Sequence, residues 1–91
     1  MTIHELKCWP VYFEPLATGE KTAEIRKNDR DFKVGDILRL REWSPGRLRY
    51  TGRDAYRKIT HILELDEVVS GPDAHNYVLL SLGEPKQEAK P

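Results

Sequence analysis

Polar and apolar residues alternate from the start of the chain. Leu6 and Cys8 are interleaved with Glu5 and Lys7, which predicts a short strand over His4 to Trp9. Pro10 then occupies the place of a first helical residue, and Val11, Tyr12, Phe13 and Leu16 supply an apolar face. With Gly19 as a stop signal, a helix is predicted from about Pro10 to Thr18, and Pro15 is expected to make it irregular. Thr22 to Lys27 alternates again, with Ala23 and Ile25 on one face and Thr22, Glu24 and Arg26 on the other. Lys27 to Asp31 and Val34 to Asp36 read as two turns before the next strand, Ile37 to Trp43. Ser44, Pro45 and Gly46 end that strand, and an arginine-rich loop follows to Asp54. Tyr56 to Leu65 is predicted as a strand with Ile59, His61, Leu63 and Leu65 on one side. Val68 to Asn76 is read as a loop and Tyr77 to Leu82 as the last strand.

One early helix and about five strands without βαβ spacing imply a mixed, mainly β fold of the α+β kind. A small barrel with the helix at its side is the expected architecture. The length of 91 residues suits one domain, taken as residues 1–83, with residues 84–91 as a disordered tail. No apolar run approaches the ~20 residues of a membrane span, and the N-terminus lacks a signal peptide's basic and apolar blocks. A cytoplasmic, membrane-independent, monomeric protein is the expectation. Cys8 is the one cysteine, so neither an internal disulfide nor a cysteine-based zinc site can form, and it reads as a small buried hydrophobe. The three histidines have no metal-ligand spacing, His61 reads as core-facing, and no cofactor is indicated.

The net charge is zero, but it is unevenly distributed. Lys21 to Lys58 holds twelve basic residues and six acidic ones, a balance of +6, and the remainder of the chain carries the opposite −6. Eight of the fifteen cations are arginines, whose planar fork suits phosphates and base edges. Such polarity can present a basic face to a polyanion. It can equally be an ordinary solvated strand surface.

The sharpest local feature is Gly19 to Arg26 (GEKTAEIR), where a helix stop and Lys21 lead into a strand. Glu24 and Arg26 leave that strand on one face, roughly 6–7 Å apart. Near a lysine, they either bind a polar ligand or simply neutralise each other. Trp43, beside Arg41, and Tyr50 could stack a base, with Arg47 and Arg49 in the same loop as phosphate contacts.

The run GEKTAEIRKNDRDFKVGDILRLREW resembles the signature of ASCH domains, relatives of the PUA RNA-binding fold. It is most similar to a compact bacterial and phage branch, a likeness that continues through Tyr50 to Arg53 (YTGR) and Ile59 to Glu64 (ITHILE). The resemblance implies a PUA-like β-barrel with a cleft between helix and barrel that faces RNA or a nucleotide. Lys21, Thr22, Glu24, Arg26, Trp43, Arg47, Arg49 and Tyr50 are the ligand-binding candidates. A neighbouring ASCH group deacylates acetylcytidine with a lysine, a threonine and a later glutamate. That lysine falls on Lys21 and the motif's arginine on Arg26, but the catalytic threonine falls on Glu24. A carboxylate cannot replace a hydroxyl as an acyl acceptor. Glu64 and Glu67 are only loose counterparts of the later glutamate. The alternative to a binding domain is therefore a small hydrolase, acting on acylated cytidine or on RNA, with Lys21 and Glu24 as catalytic groups. A third reading is an interaction protein that uses the barrel only as a scaffold.

Overall fold

Strand alternation and one proline-started helix account for most of the architecture. A computed structural model describes residues 1–84 and the backbone of Glu88–Ala89. Strand β1 (Ile3–Cys8) turns His4, Leu6 and Cys8 inward and exposes Ile3, Glu5 and Lys7. Helix α1 (Pro10–Thr18) runs through Pro15 and buries Phe13, Leu16 and Ala17. It ends at Gly19, whose φ of 87° is left-handed and costs glycine little. Four further strands follow: β2 (Ala23–Lys27), β3 (Ile37–Ser44), β4 (Arg49–Glu64) and β5 (Tyr77–Gly83). A two-residue β6 (Glu88–Ala89) pairs with Asp54 and Ala55 of β4. The rest of the expected tail beyond Glu84 lies outside the described residues.

The sheet order is β1-β3-β4-β5-β2. β1 lies parallel to β3, and the β3–β4, β4–β5 and β5–β2 ladders are antiparallel. β4 is long enough to serve two neighbours. Arg49 to Lys58 pairs with β3, and Lys58 to Glu64 pairs with β5. The curved sheet and α1 enclose a core of Leu6, Phe13, Leu16, Leu38, Leu40, Ile59, Leu80 and smaller neighbours. Each such side chain contributes about 1.5–3 kcal/mol on full burial.

Four expectations need correction. The sheet is not closed into a barrel: β1 and β2 are its two ends, and among the described residues no ladder joins them. Between them the Arg26 guanidinium reaches over and its Nη2 donates to the Lys7 carbonyl at 3.3 Å, where a closing strand pair would have run. The arginine-rich loop is shorter than expected, because β4 already starts at Arg49 and Trp43 pairs with Tyr50. Only the four residues from Pro45 to Leu48 form the turn, with Leu48 at a φ of 53°. His61 is exposed rather than core-facing. A bulge between Ile59 and His61 shifts the alternation by one, so Ile62 packs on the core instead. Finally, the basic stretch is not one uniform face. Arg39 and Arg41 are spent on Glu5 and Asp54, and Arg53 is 2.6 Å from Glu14. Arg57 is buried.

Candidate functional site

Where the sheet fails to close, a cleft opens. It has a volume of about 720 Å³, within the usual range for small-molecule sites. One wall is the end of β1 and the start of α1, with Lys7, Cys8, Trp9 and Tyr12. The other is Lys21 and the whole of β2, backed by Leu79.

The local sequence dictates which way β2 turns. Its register opposes Glu24 to Leu80 and Arg26 to Val78, so these two charged residues turn toward the protein, whereas Lys27 shares the exposed phase of Ile25. Ile25 is left outside and more than half exposed. Glu24 is 8% exposed and holds the centre of the cluster. Its Oε1 accepts from Lys21 Nζ at 2.6 Å, and its Oε2 accepts from Arg26 Nη2 at 2.9 Å and Nε at 3.1 Å. Both carboxylate oxygens are therefore occupied by cations. Lys21 also lies 5.4 Å from the centre of the Tyr12 ring. Lys7, Lys21, Arg26 and Lys27 line the cleft against the single carboxylate of Glu24, so four positive charges face one negative.

Lys21 is placed by a residue the sequence reading passed over. Arg57 lies on the inward phase of β4 between Ala55 and Ile59. It donates through Nη1 to the carbonyls of Leu16 and Lys21, both at 2.9 Å. Its Nη2 and Nε reach the carbonyls of Leu82 and Gly83 at 3.1 Å. The guanidinium thereby satisfies a carbonyl in the last turn of α1 and fixes the connection into β2. Burial pulls its pKa below the ordinary arginine range. The Lys21 N–H donates to the Pro15 carbonyl at 2.9 Å, which closes the same turn. The sequence signal for Arg57 was its place in the apolar phase of a strand.

Cys8 forms part of the cleft wall with a buried thiol. Burial, and secondarily the charge of Glu24, pushes its pKa up to about 11. A thiol held protonated is not a nucleophile at neutral pH. Across the core, His4 and Asp36 form a buried pair at 2.8 Å. Asp36 also accepts from the backbone N–H groups of Thr2 and Lys33, and with His4 these bonds lower its pKa.

The structure thus brings together Lys21, Glu24 and Arg26, and adds Lys7, Trp9, Tyr12 and Lys27, which sequence reasoning had not selected. Thr22 is exposed, does not line the cleft, and accepts at its carbonyl from Leu82 N–H at 2.8 Å. Trp43 and Tyr50 pack edge to face at 5.0 Å on the β3–β4 hairpin, outside the cleft. Arg41 covers Tyr50, and Lys7 lies 4.1 Å over Trp43, so Lys7 touches both the cleft and the hairpin. Arg47 and Arg49 are exposed on that hairpin. Glu64 and Glu67 are exposed and do not line the cleft. No group of three or more His, Cys, Asp or Glu that could hold a metal occurs among the described residues. No described helix is long and apolar enough to cross a membrane.

The mainly β, open α+β sheet with one helix is similar in fold to a solved ASCH protein. A crystal structure of a mutant of the ZmASCH protein from Zymomonas mobilis superposes with a TM-score of 0.65 at 11% identity, over 91% of this chain and 68% of that one. Residues 3–82 match the family described as Domain of unknown function (DUF3850), and the chain belongs to it. A relative from Escherichia phage P2, the "Uncharacterized 12.9 kDa protein in GpA 3'region", is 40% identical over 78 residues. That match takes in 86% of this chain and 65% of the relative, so the chain spans just under two thirds of the phage protein.

Proposed function

We propose that the protein binds a nucleotide, free or as a unit of single-stranded RNA, in the cleft between β1 and β2. The observation that carries this reading is the convergence of Lys21, Glu24 and Arg26 in a 720 Å³ cleft flanked by half-exposed Trp9 and Tyr12. Aromatic rings beside paired polar groups offer stacking to a base and hydrogen bonds to its edge. The surplus positive charge along β2 favours an anionic ligand. An RNA strand leaving the cleft past Lys7 would meet Trp43 and Tyr50, with Arg47 and Arg49 beyond them, which gives the hairpin a role as an outer contact surface.

The hydrolase alternative has less support. Glu24 would have to act as a base, yet both of its oxygens are engaged by cations, and Cys8 is protonated. No observation favours hydrolysis over binding.

Titration of fluorescently labelled short single-stranded RNA at increasing salt tests the proposal. Binding that weakens steeply with salt is expected, and Arg26→Glu should reduce it at least about tenfold by reversing a charge at the cleft. Arg47→Glu and Arg49→Glu should weaken RNA binding and lower the salt slope by roughly one each. Absence of binding even at low ionic strength would remove the proposal. Incubation with acylated cytidines and labelled RNA provides the hydrolase control, on wild type and Lys21→Ala.

A further inference from the structure

The seam between β1 and β2 holds a second hollow. It has a volume of about 190 Å³ and lies toward the Asp29–Arg30 turn, next to the large cleft. Lys7, Arg26 and Lys27 line both, so the Arg26–Lys7 bridge stands between the two. The small hollow is below the ~300 Å³ at which small-molecule pockets usually begin, so it suits a compact group rather than a whole nucleotide.

Its chemistry is specific. Lys7, Arg26, Lys27 and Arg30 face it with Asp29 as the one carboxylate. The ammonium groups of Lys7 and Lys27 have no carboxylate within ion-pair distance among the described residues, although Lys7 Nζ lies over the Trp43 ring at 4.1 Å. Arg26 spends Nε and Nη2 on Glu24 and Lys7, and Nη1 has no described hydrogen-bond partner. Arg30 is 3.8 Å from Asp29, a loose and solvated contact. The hollow's apolar lining is Leu6 and Phe32, both buried, so on that side the field of the cations is not screened by water. Counting Glu24 on Arg26, four cations stand against two carboxylates, and a bound anion would offset the remaining positive charge.

We infer that the small hollow is a phosphate pocket, so that the seam takes phosphorylated nucleosides and discriminates against bare ones. The inference rests on the nucleotide reading of the large cleft and adds to it the ligand class. A base held near Trp9 and Tyr12 would extend its sugar phosphate along the Arg26–Lys7 divider toward Lys27 and Arg30.

Intrinsic tryptophan fluorescence at low ionic strength, with calorimetry as a check, would compare three sets of probes. These are the four common ribonucleosides, their 3′- and 5′-monophosphates, and dinucleoside monophosphates. At least one phosphorylated form should bind about tenfold or more tightly than its parent nucleoside, the size of a charge-assisted contact. Arg30→Glu should bring that ratio close to one. Arg30 is in an exposed turn, so a melting curve like the wild type's would show that the variant is folded, and Lys27→Glu gives a second, independent test. Preference for the monophosphates points to a free nucleotide and preference for the dinucleotides to an RNA strand; either supports the pocket. Equal affinity for nucleoside and nucleotide, or a ratio that survives both substitutions, overturns the phosphate pocket and leaves the cleft reading standing. If every probe and short RNA fail to bind, both fall together.

Discussion

Glu24→Gln separates the roles open to the central carboxylate. The substitution keeps shape and removes one negative charge from between two cations. A hydrogen bond to a charged group contributes roughly 1.5–3 kcal/mol, and Glu24 accepts three such bonds from two partners. The Lys21 and Arg26 side chains are 34% and 26% exposed, so water recovers part of the loss. The net cost should be about 2 kcal/mol, toward the low end for a broken charge pair. For a domain of this size that corresponds to a melting temperature lower by roughly 8–16 °C, readable by differential scanning fluorimetry. The cleft would also gain one unit of positive charge, so affinity for inorganic phosphate should rise about threefold at low salt and lose that gain at high salt. A carboxylate serving as a general base would behave differently: its amide would abolish turnover. A variant that melts within about one degree of wild type, with unchanged phosphate affinity, would refute the reasoning, since Glu24 would then hold neither cation.

Arg57→Met should cost about 3 kcal/mol by stranding the buried carbonyls of Leu16 and Leu82 and the partly buried ones of Lys21 and Gly83, measured as a lower urea midpoint. Asp36 gives the pH dependence. Its pKa is lowered below the ordinary 3.8 by His4 and two backbone donors, so its contribution is complete above that value and is lost as pH falls through the lower, folded pKa. Urea midpoints should therefore drop below about pH 4, and Asp36→Asn should flatten that part of the curve while lowering stability at neutral pH. Cys8, raised from 9.0 to about 11, should react with iodoacetamide at pH 8 at least ~100-fold more slowly in the folded protein than in urea. Equal rates in the two states would contradict its burial.

Much of the chain was legible because its signals are local. Pro10 and Gly19 bracket the helix, and strict alternation marks β1 and β3, all within windows that need no tertiary information. The ASCH-like run likewise pointed to a mainly β, PUA-like fold. What escaped depends on partners distant in sequence. The slip between Ile59 and His61 follows from how β4 pairs with β5, which no periodicity within β4 encodes. Arg57 looked like one more surface cation, because only the folded chain brings four carbonyls around it. The gathering of Lys21, Glu24 and Arg26 was expected from strand spacing. The aromatic wall of Trp9 and Tyr12 was not, since it required knowing that β1 and β2 face each other across an open seam. Trp43, Arg47, Arg49 and Tyr50 were grouped with the cleft by composition, whereas the β3–β4 pairing carries them onto a separate hairpin.

The unclosed seam has a further consequence for how the molecule assembles. The β3–β4 hairpin is local, with Ser44 opposite Arg49, whereas β1 must find Ile37 from Ile3 and β2 must find Ser81 from Ala23. Loop closure makes these two distant dockings the slow ones, so the terminal strands are expected to attach after the centre of the sheet has formed. Each wall of the cleft is built in part from those late strands. Recognition would then be the last property the chain acquires as it leaves the ribosome and the first it forfeits on heating. An occupied cleft would hold the two margins together as a clasp does.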